Sequence, residues 1–430
     1  MSLSTINEHA MTNGMNAPTQ AATAPTTAVS RSAEQQRVVV LGGGVAGLTA
    51  AYELRGRLDS GISILLIADN DQFTLGPALL DMPFAIKHTS TGFPIAPSLV
   101  SRGIEFLHAS VEHIDPHRRV VHAGGRDVTY DYLLIATGQT VDPVAVPGVG
   151  GEFNASHSIY SEMTAAETAQ ALEEFIKHPG PAVVGLATGA GYLSAAYECA
   201  LRLEYRLRRA GVRQRASITF VTPEEYLGHL GVGAPRARRL MERLFARRGI
   251  FTVSGMDIAR VDPEHVYLRG GRALPSRFSL VIPRFHGASD VWKSEGVTDA
   301  RGFVPVDAQY RHCSFPEIFA AGEAAQANVP APPRGGLPKT GYLATATARA
   351  AARNLASAIT HKAPRGRALP SLLDLRIIDG GDAGMLLLSG TFIRPFRTAV
   401  LLPGRSAHRL KKVLTRYVLW KLRTGRTYLP

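Results

Sequence analysis

The run Gly42-Gly43-Gly44-Val45-Ala46-Gly47 leaves few folds open, because it lies directly between the β-branched stretch Arg37 to Leu41 and a helical stretch that continues from Leu48. Read as strand, turn and helix, each glycine has a use. Gly42 allows the tight turn, Gly44 lets a pyrophosphate approach the backbone, and Gly47 lets helix and strand pack closely. Phosphates then sit on the exposed amides at the helix start, among Gly42, Gly44, Val45, Ala46 and Gly47. A second strand is expected over Ile62 to Ile67, followed by Asp69, 22 residues past Gly47, where an acid grips the ribose of a dinucleotide; Asn70 and Asp71 compete for that role.

At 430 residues the chain accommodates two such nucleotide-binding units and a C-terminal addition. Its hydrophobic content of 45% and charged content of 19% are those of a soluble enzyme. No apolar run approaches the ~20 residues that a spanning helix needs. The first 35 residues, rich in Ala, Thr, Asn and Ser, read as a mobile leader without a secretory pattern. Cys199 and Cys313, far apart and in no paired motif, imply neither a disulfide framework nor a metal site, and no metal is expected. Cys199 reads as a core filler and Cys313 as a surface-turn residue. A reducing cytoplasm fits. The formal charge of +13 is concentrated at the end: no acid follows Asp382, while Arg394, Arg397, Arg405, Arg409, Lys411, Lys412, Arg416, Lys421, Arg423 and Arg426 do.

The strand-turn-helix pattern restarts at Ala182-Val-Val-Gly185-Leu-Ala-Thr-Gly189-Ala-Gly191, with a helix to about Arg209 and a strand Ser217 to Thr222. Its glycines depart from the pyrophosphate spacing, which counts against NAD(P)H. Between the units, Tyr130 to Gly138 is an apolar strand ending in a small turn. That segment, Ala136-Thr137-Gly138, resembles one in two-dinucleotide flavoproteins, where it crosses beneath the cofactor.

The resemblance becomes specific at Phe220-Val-Thr-Pro-Glu-Glu-Tyr226-Leu-Gly228-His229-Leu-Gly231, Phe278-Ser-Leu-Val-Ile-Pro283-Arg-Phe285-His-Gly287, Phe315-Pro-Glu-Ile-Phe-Ala-Ala-Gly322 and Gly336-Leu-Pro338-Lys339-Thr340-Gly341-Tyr342. Together these look like the sulfide:quinone oxidoreductases, related to the type 2 NADH dehydrogenases, over roughly residues 37 to 425. The resemblance implies an α/β fold with two Rossmann-like domains, glutathione-reductase-like, plus a C-terminal membrane-associating region. It implies FAD, with Gly322 and Glu323 reaching toward the cofactor and Lys339, Thr340 and Gly341 opening a helix aimed at its ring. The expected organisation is a leader 1–35, an FAD-binding domain of 36–160 and 286–365, a second domain 161–285, and a C-terminal region 366–430.

In that family cysteines carry the sulfur chemistry, because a thiolate takes up sulfide and is reduced again. The corresponding positions here are Tyr160, Tyr192 and, less directly, the neighbourhood of Arg376, and none is a cysteine. Thr164 replaces a family histidine, while His229 remains. A phenol beside a flavin donates a hydrogen bond, stacks on a substrate or works as an acid or base; the alternative is that aromatic bulk fills a vacated channel. His229 suits proton delivery to a reduced quinone, or is structural. Tyr160, Tyr192, His229 and Lys339 are the candidate catalytic residues.

The stretch Ser406 to Thr424 reads as a helix with Leu410, Val413, Leu414, Tyr417 and Trp420 on one side and Lys411, Lys412, Arg416, Lys421 and Arg423 largely on the other. Such a helix suits an anionic membrane surface, or packs on its own domain with a basic outer face. Strands are expected over Leu387 to Leu402, and Phe392, Phe396, Tyr417 and Trp420 are candidate quinone or membrane contacts. The expectation is a cytoplasmic flavoenzyme, peripheral on the inner face of a bacterial membrane, moving electrons from an unidentified donor, with an organic molecule as a candidate, through FAD to a quinone. Rival readings are an NAD(P)H:quinone oxidoreductase with Glu224 at the second ribose position, a flavoenzyme of a specialised biosynthetic pathway, and a non-catalytic flavin-stabilised interaction protein. Nucleic acid is not an expected partner.

Overall fold

In the computed structural model, residues 35–84, 92–150, 155–231, 233, 235–288, 296–327, 339–364, 374–390, 396–403 and 405–427 are described. The leader and Phe392 lie outside them, and of Phe396 only the backbone is described.

Two parallel sheets dominate. The first has the spatial order Ile318–Ala320, Tyr132–Ile135, Arg37–Leu41, Ser63–Ala68, Glu105–His108. All its pairings are parallel, with Val39 opposite Leu65 on one side and Leu133 on the other. Arg37–Leu41 is buried along its whole length, as its unbroken apolar run requires of a central strand covered on both faces. The strand expected at Ile62 to Ile67 is Ser63–Ala68, and Asp69 follows it at once. The second sheet runs Ile250–Ser254, Ile218–Thr222, Ala182–Leu186, Phe278–Ile282, again all parallel. A short antiparallel ribbon, Gln139–Val141 with Phe285–Gly287, ties the chain leaving the first sheet to the chain leaving the second.

Two helices lie side by side over the first sheet, Val45–Arg55 and Gly341–Ile359. Buried alanines at 50, 51, 348, 351 and 352 let them approach, and Glu53 accepts a 2.9 Å hydrogen bond from Arg353 Nε at their far ends. At the near ends, a Cβ built on Gly322 would lie 2.7 Å from Ala46 Cβ and 4.0 Å from Ala344 Cβ. Both helices therefore point their N-termini the same way.

The C-terminal strands are more extensive than Leu387 to Leu402. Asp374–Asp379, Ala383–Gly390 and Phe396–Pro403 form an antiparallel sheet that carries the helix Ser406–Arg423. Here the structure corrects the charge pattern. Lys411 and Lys421 are not on an outer cationic flank; Lys421 is 5% exposed, and Lys411 pairs with Glu198 and lies 3.8 Å from Asp81. Arg202 completes the buried cluster by pairing with Asp81 and, at 3.3 Å, with Asp379, whose carboxylate also meets His408 Nδ1 at 2.7 Å. Helical periodicity placed Lys411 with the polar residues, but acids from other parts of the chain draw it inward. Burial alone would lower the Lys411 pKa, yet Glu198 and Asp81 hold it above the ordinary lysine value.

Removing one member of such a cluster leaves an uncompensated buried charge. Lys411→Met is therefore expected to lower stability by about 3–5 kcal/mol in urea unfolding. The double variant Lys411→Met with Glu198→Leu should recover much of that loss, and equal destabilisation by both would show that the ion pair is not what matters.

Candidate active site

Four loops leave the carboxyl ends of the first sheet's strands: Gly42–Val45 after Leu41, Asp69–Asn70 after Ala68, Ala136–Gly138 after Ile135, and Gly322–Glu323 shortly after Ala320. This is the edge at which open α/β sheets bind ligands. Gly42 has φ +106°, and a Cβ there would be 2.5 Å from Ala136 O, so only glycine fits. A Cβ on Gly47 would be 1.8 Å from Gly42 O, so the helix and strand touch backbone to backbone. At Gly44, by contrast, a Cβ would meet nothing within 4 Å. Gly44 is the N-cap of its helix and supplies no side chain to the first-turn amides, and no acid stands in that turn. The result is an open cradle of amides at the positive end of a helix dipole, which fits a pyrophosphate.

Asn70 turns its side-chain carbonyl to its own loop, accepting from Gln72 N at 2.8 Å. Asp69 is exposed at the strand end with its carboxylate outside that turn. Opposite, Thr340 caps the helix Gly341–Ile359 by accepting from Leu343 N at 3.1 Å, and Gly322 N donates to Thr347 Oγ1 at 3.0 Å. The cradle, the Gly322 turn and the Thr340 cap thus form one region, and its residues fit FAD.

Beside it stands an aromatic cluster. The Tyr160 and Tyr192 rings are 5.4 Å apart, and Phe285 meets them edge-on at 4.8 and 5.1 Å. Tyr192 Oη donates to Glu323 Oε2 at 2.6 Å. Lys339 Nζ donates to Gln139 Oε1 and lies 5.1 Å from the centre of the Phe303 ring. Burial lowers the Lys339 pKa to about 8 against the pull of nearby Glu323. The Glu323 carboxyl is pushed above the usual range by burial, although Lys339 and Tyr192 oppose the shift. Both phenols are pushed well up, first by burial and then by neighbouring negative groups.

The sequence positions these groups by local rules. Ser161 caps the helix Glu162–Lys177 in a reciprocal box with Thr164, and this fixes Tyr160 just before the helix. Thr164 is thus a capping residue. Tyr192 precedes the helix Leu193–Arg209, and the turn behind it is closed by Lys339 N donating to Gly191 O at 3.2 Å. Glu323, expected to reach toward the cofactor, lies in the Gly322 turn with its carboxylate on Tyr192. Glu224, the candidate for a second ribose, is 3% exposed; it accepts from Tyr197 Oη at 2.6 Å, Thr222 Oγ1 at 2.9 Å and the Leu230 amide. That network leaves it no face toward a nucleotide. His229 sits elsewhere, in the loop after Ile218–Thr222, its ring 5.2 Å from that of Tyr226. Arg376 is buried, donating to Leu230 O. Cys199 is fully buried in the core and Cys313 is exposed, as their surroundings in sequence indicated.

Gln139, Phe285 and Phe303 had no role from sequence. Gln139 carries a usable signal, a polar residue placed immediately after Ala136-Thr137-Gly138. A surface recess lined by Gly180, Pro181, Arg213, Arg215, Ser217 and Phe251 lies at the opposite, amino-terminal edge of the second sheet, away from where dinucleotides bind.

A family model described as pyridine nucleotide-disulphide oxidoreductase matches residues 36–352. The chain is 34% identical over 404 residues to a sulfide-quinone reductase of Aquifex aeolicus, covering 91% of this chain and 92% of that protein. The crystal structure of the sulfide:quinone oxidoreductase from that bacterium superposes with a TM-score of 0.82 at 33% identity, covering 91% and 92% of the two chains. An NADH dehydrogenase-like protein of Mycobacterium tuberculosis is 27% identical over 305 residues, 68% of this chain and 74% of its own.

Because the Cβ position of Gly44 is open, Gly44→Ala should leave the melting temperature of the FAD-free protein essentially unchanged while weakening FAD binding by about tenfold or more, a loss of about 1.4 kcal/mol. Fluorescence titration with FAD measures it; unaltered affinity would remove Gly44 from the cofactor site.

Proposed function

We propose that this chain, which belongs to the sulfide:quinone oxidoreductase family of pyridine nucleotide-disulphide oxidoreductases, is an FAD enzyme in which tyrosines stand where thiols do sulfur chemistry, passing electrons from an organic donor to a quinone. The observation that carries this reading is the Tyr160–Tyr192–Phe285 cluster at the mouth of the cofactor region. Neither cysteine is placed as a reactive thiol there: Cys199 is sealed in the core behind Tyr160, where burial raises its thiol pKa, and Cys313 is exposed.

FAD, when bound, supplies a two-electron acceptor. Gly42, Gly44, Val45, Ala46 and Gly47 would hold its pyrophosphate and Asp69 its ribose, with Ala136, Thr137, Gly138 and Gly322 at the same sheet edge. The N-terminus of the Thr340–Gly341 helix favours negative charge on the ring, and Lys339 adds a full positive charge below about pH 8. The Tyr192–Glu323 contact supports a proton-handling role on the donor side, while His229 has no support for one there. Glu224 is spent on its internal network, which speaks against NADH as donor.

On the C-terminal helix, Val413 is 61% and Trp420 41% exposed, and Arg409, Lys412 and Arg416 are exposed as well. Tyr417 stacks on Trp420 at 6.0 Å. Apolar and aromatic groups interleaved with cations support attachment to an anionic membrane, on the inner face of a bacterial cell, with Tyr417 and Trp420 beside the quinone entrance. No helix among the described residues is long and apolar enough to cross a membrane.

The photoreduced protein should be reoxidised by a ubiquinone analogue faster than by buffer, and anaerobic sulfide should leave the oxidised spectrum unbleached. Failure of the first sinks the quinone assignment, and rapid bleaching by sulfide sinks the tyrosine-for-thiol reading. Separately, the triple change Arg409→Glu, Lys412→Glu, Arg416→Glu should abolish sedimentation with anionic liposomes; unchanged sedimentation would show that this helix is not the contact.

A further inference from the structure

The tyrosine cluster contains two buried donors that lack a well-formed hydrogen bond. Among the described residues, neither Tyr160 Oη nor Gln139 Nε2 has a partner in hydrogen-bond geometry, although the Gln139 amide lies close enough to Tyr192 to act on its phenol. Buried groups of this kind are rare, since each has given up its water for nothing. The Gln139 orientation is not arbitrary: the ammonium of Lys339, which only donates, takes the amide oxygen and so turns Nε2 away. Both can donate, and in the same cluster Tyr192 Oη is already committed as a donor to Glu323. The remaining walls are the faces and edges of Tyr160, Tyr192 and Phe285.

We propose that this cluster is a binding site for a planar, uncharged organic donor bearing an ionisable hydroxyl, of the phenol or enol class, whose oxygen accepts from Tyr160 and Gln139 and whose proton leaves through Tyr192 to Glu323. This rests on the flavoenzyme reading above. The proton balance is simple. The donor's O–H bond breaks as its proton reaches Tyr192 Oη, the Tyr192 proton passes along its existing hydrogen bond to Glu323, and the negative charge of the carboxylate is transferred to the donor oxygen held by Tyr160 and Gln139. Making the donor electron-rich in this way prepares it to give up an electron pair to the FAD named above.

The charges around the site define the class. A carboxylate ligand would meet the Glu323 carboxylate, and a cationic one would meet Lys339, whereas a neutral hydroxyl meets unpaired donors and aromatic faces. Burial also makes Glu323 a better proton acceptor than a solvated carboxylate, which agrees with the geometry.

The test is binding of 4-nitrophenol to the oxidised holoprotein, followed by difference absorbance, with 4-nitroanisole and 4-nitrobenzoate as controls. 4-Nitrophenol should bind about tenfold or more tighter than either control, as expected when a site built for a hydroxyl meets an analogue lacking it. At a pH below its own pKa the bound probe should show the ionised spectrum. Tyr160→Phe and Gln139→Leu should each cost about tenfold in affinity. Glu323→Gln should leave the bound probe neutral. Visible spectrum and melting temperature check that each variant still folds and holds FAD. Equal binding of 4-nitrophenol and 4-nitroanisole, unchanged affinity in both Tyr160→Phe and Gln139→Leu, or a probe that stays neutral in the unaltered protein would each overturn the proposal. If photoreduced protein still gives its electrons to the ubiquinone analogue under the same conditions, only this inference fails and the broader function stands.

Discussion

The backbone contact between Gly47 and Gly42 is the constraint from which the cofactor region is built. A Cβ at Gly47 would fall 1.8 Å from the Gly42 carbonyl oxygen, so the first helix can lie against the end of the central strand only because that position is bare. Close approach aims the helix N-terminus across the sheet edge. The second helix then packs beside the first through small residues, with the Glu53–Arg353 contact setting its register. Two helix dipoles end at one place, and the three turns leaving neighbouring strands meet them there.

The second sheet repeats this architecture with a different outcome. Its turn at Gly189 and Gly191 has the positive φ values of +79° and +81°, but Gly191 O is taken by Lys339 N and Tyr192 stands at the head of the following helix. An edge that would elsewhere receive a second dinucleotide is filled by the chain's own groups. What results is an aromatic, weakly polar cluster against the first cofactor region, with Lys339 and Glu323 as its charged members. The antiparallel ribbon Gln139–Val141 with Phe285–Gly287 is what delivers Gln139 and Phe285 to it from the two sheets.

The C-terminal helix shows one element serving two environments. Its inner side is held by a buried ion cluster in which Lys411, Arg202 and His408 face Glu198, Asp81 and Asp379. Its outer side carries Leu410, Val413 and Trp420 among arginines and lysines. Alongside these ions, Ala407 and Leu422 are buried and Val418 and Leu419 pack on the core, so the helix is apolar on its inner side as well as its outer one.

The glycine turn, the strand before it and the helix after it were legible in the sequence, because local backbone geometry demands glycine at specific steps and an unbroken apolar run demands burial. The apolar helix around Cys199 likewise indicated its burial, while the helix opening at Thr340, the FAD framework and the absent cysteines were legible through the family resemblance. Other features depended on the tertiary fold. Only the fold decided that Tyr160 and Tyr192 touch, that Glu323 turns to Tyr192, that Glu224 is consumed in a buried network, and that Lys411 and Lys421 point inward. Each of these is a contact between residues distant in the chain, where periodicity carries no information about which charge or ring arrives on the other side. Local chemistry determined the glycine turn and its open cradle of amides; the packing of the two sheets determined what surrounds it.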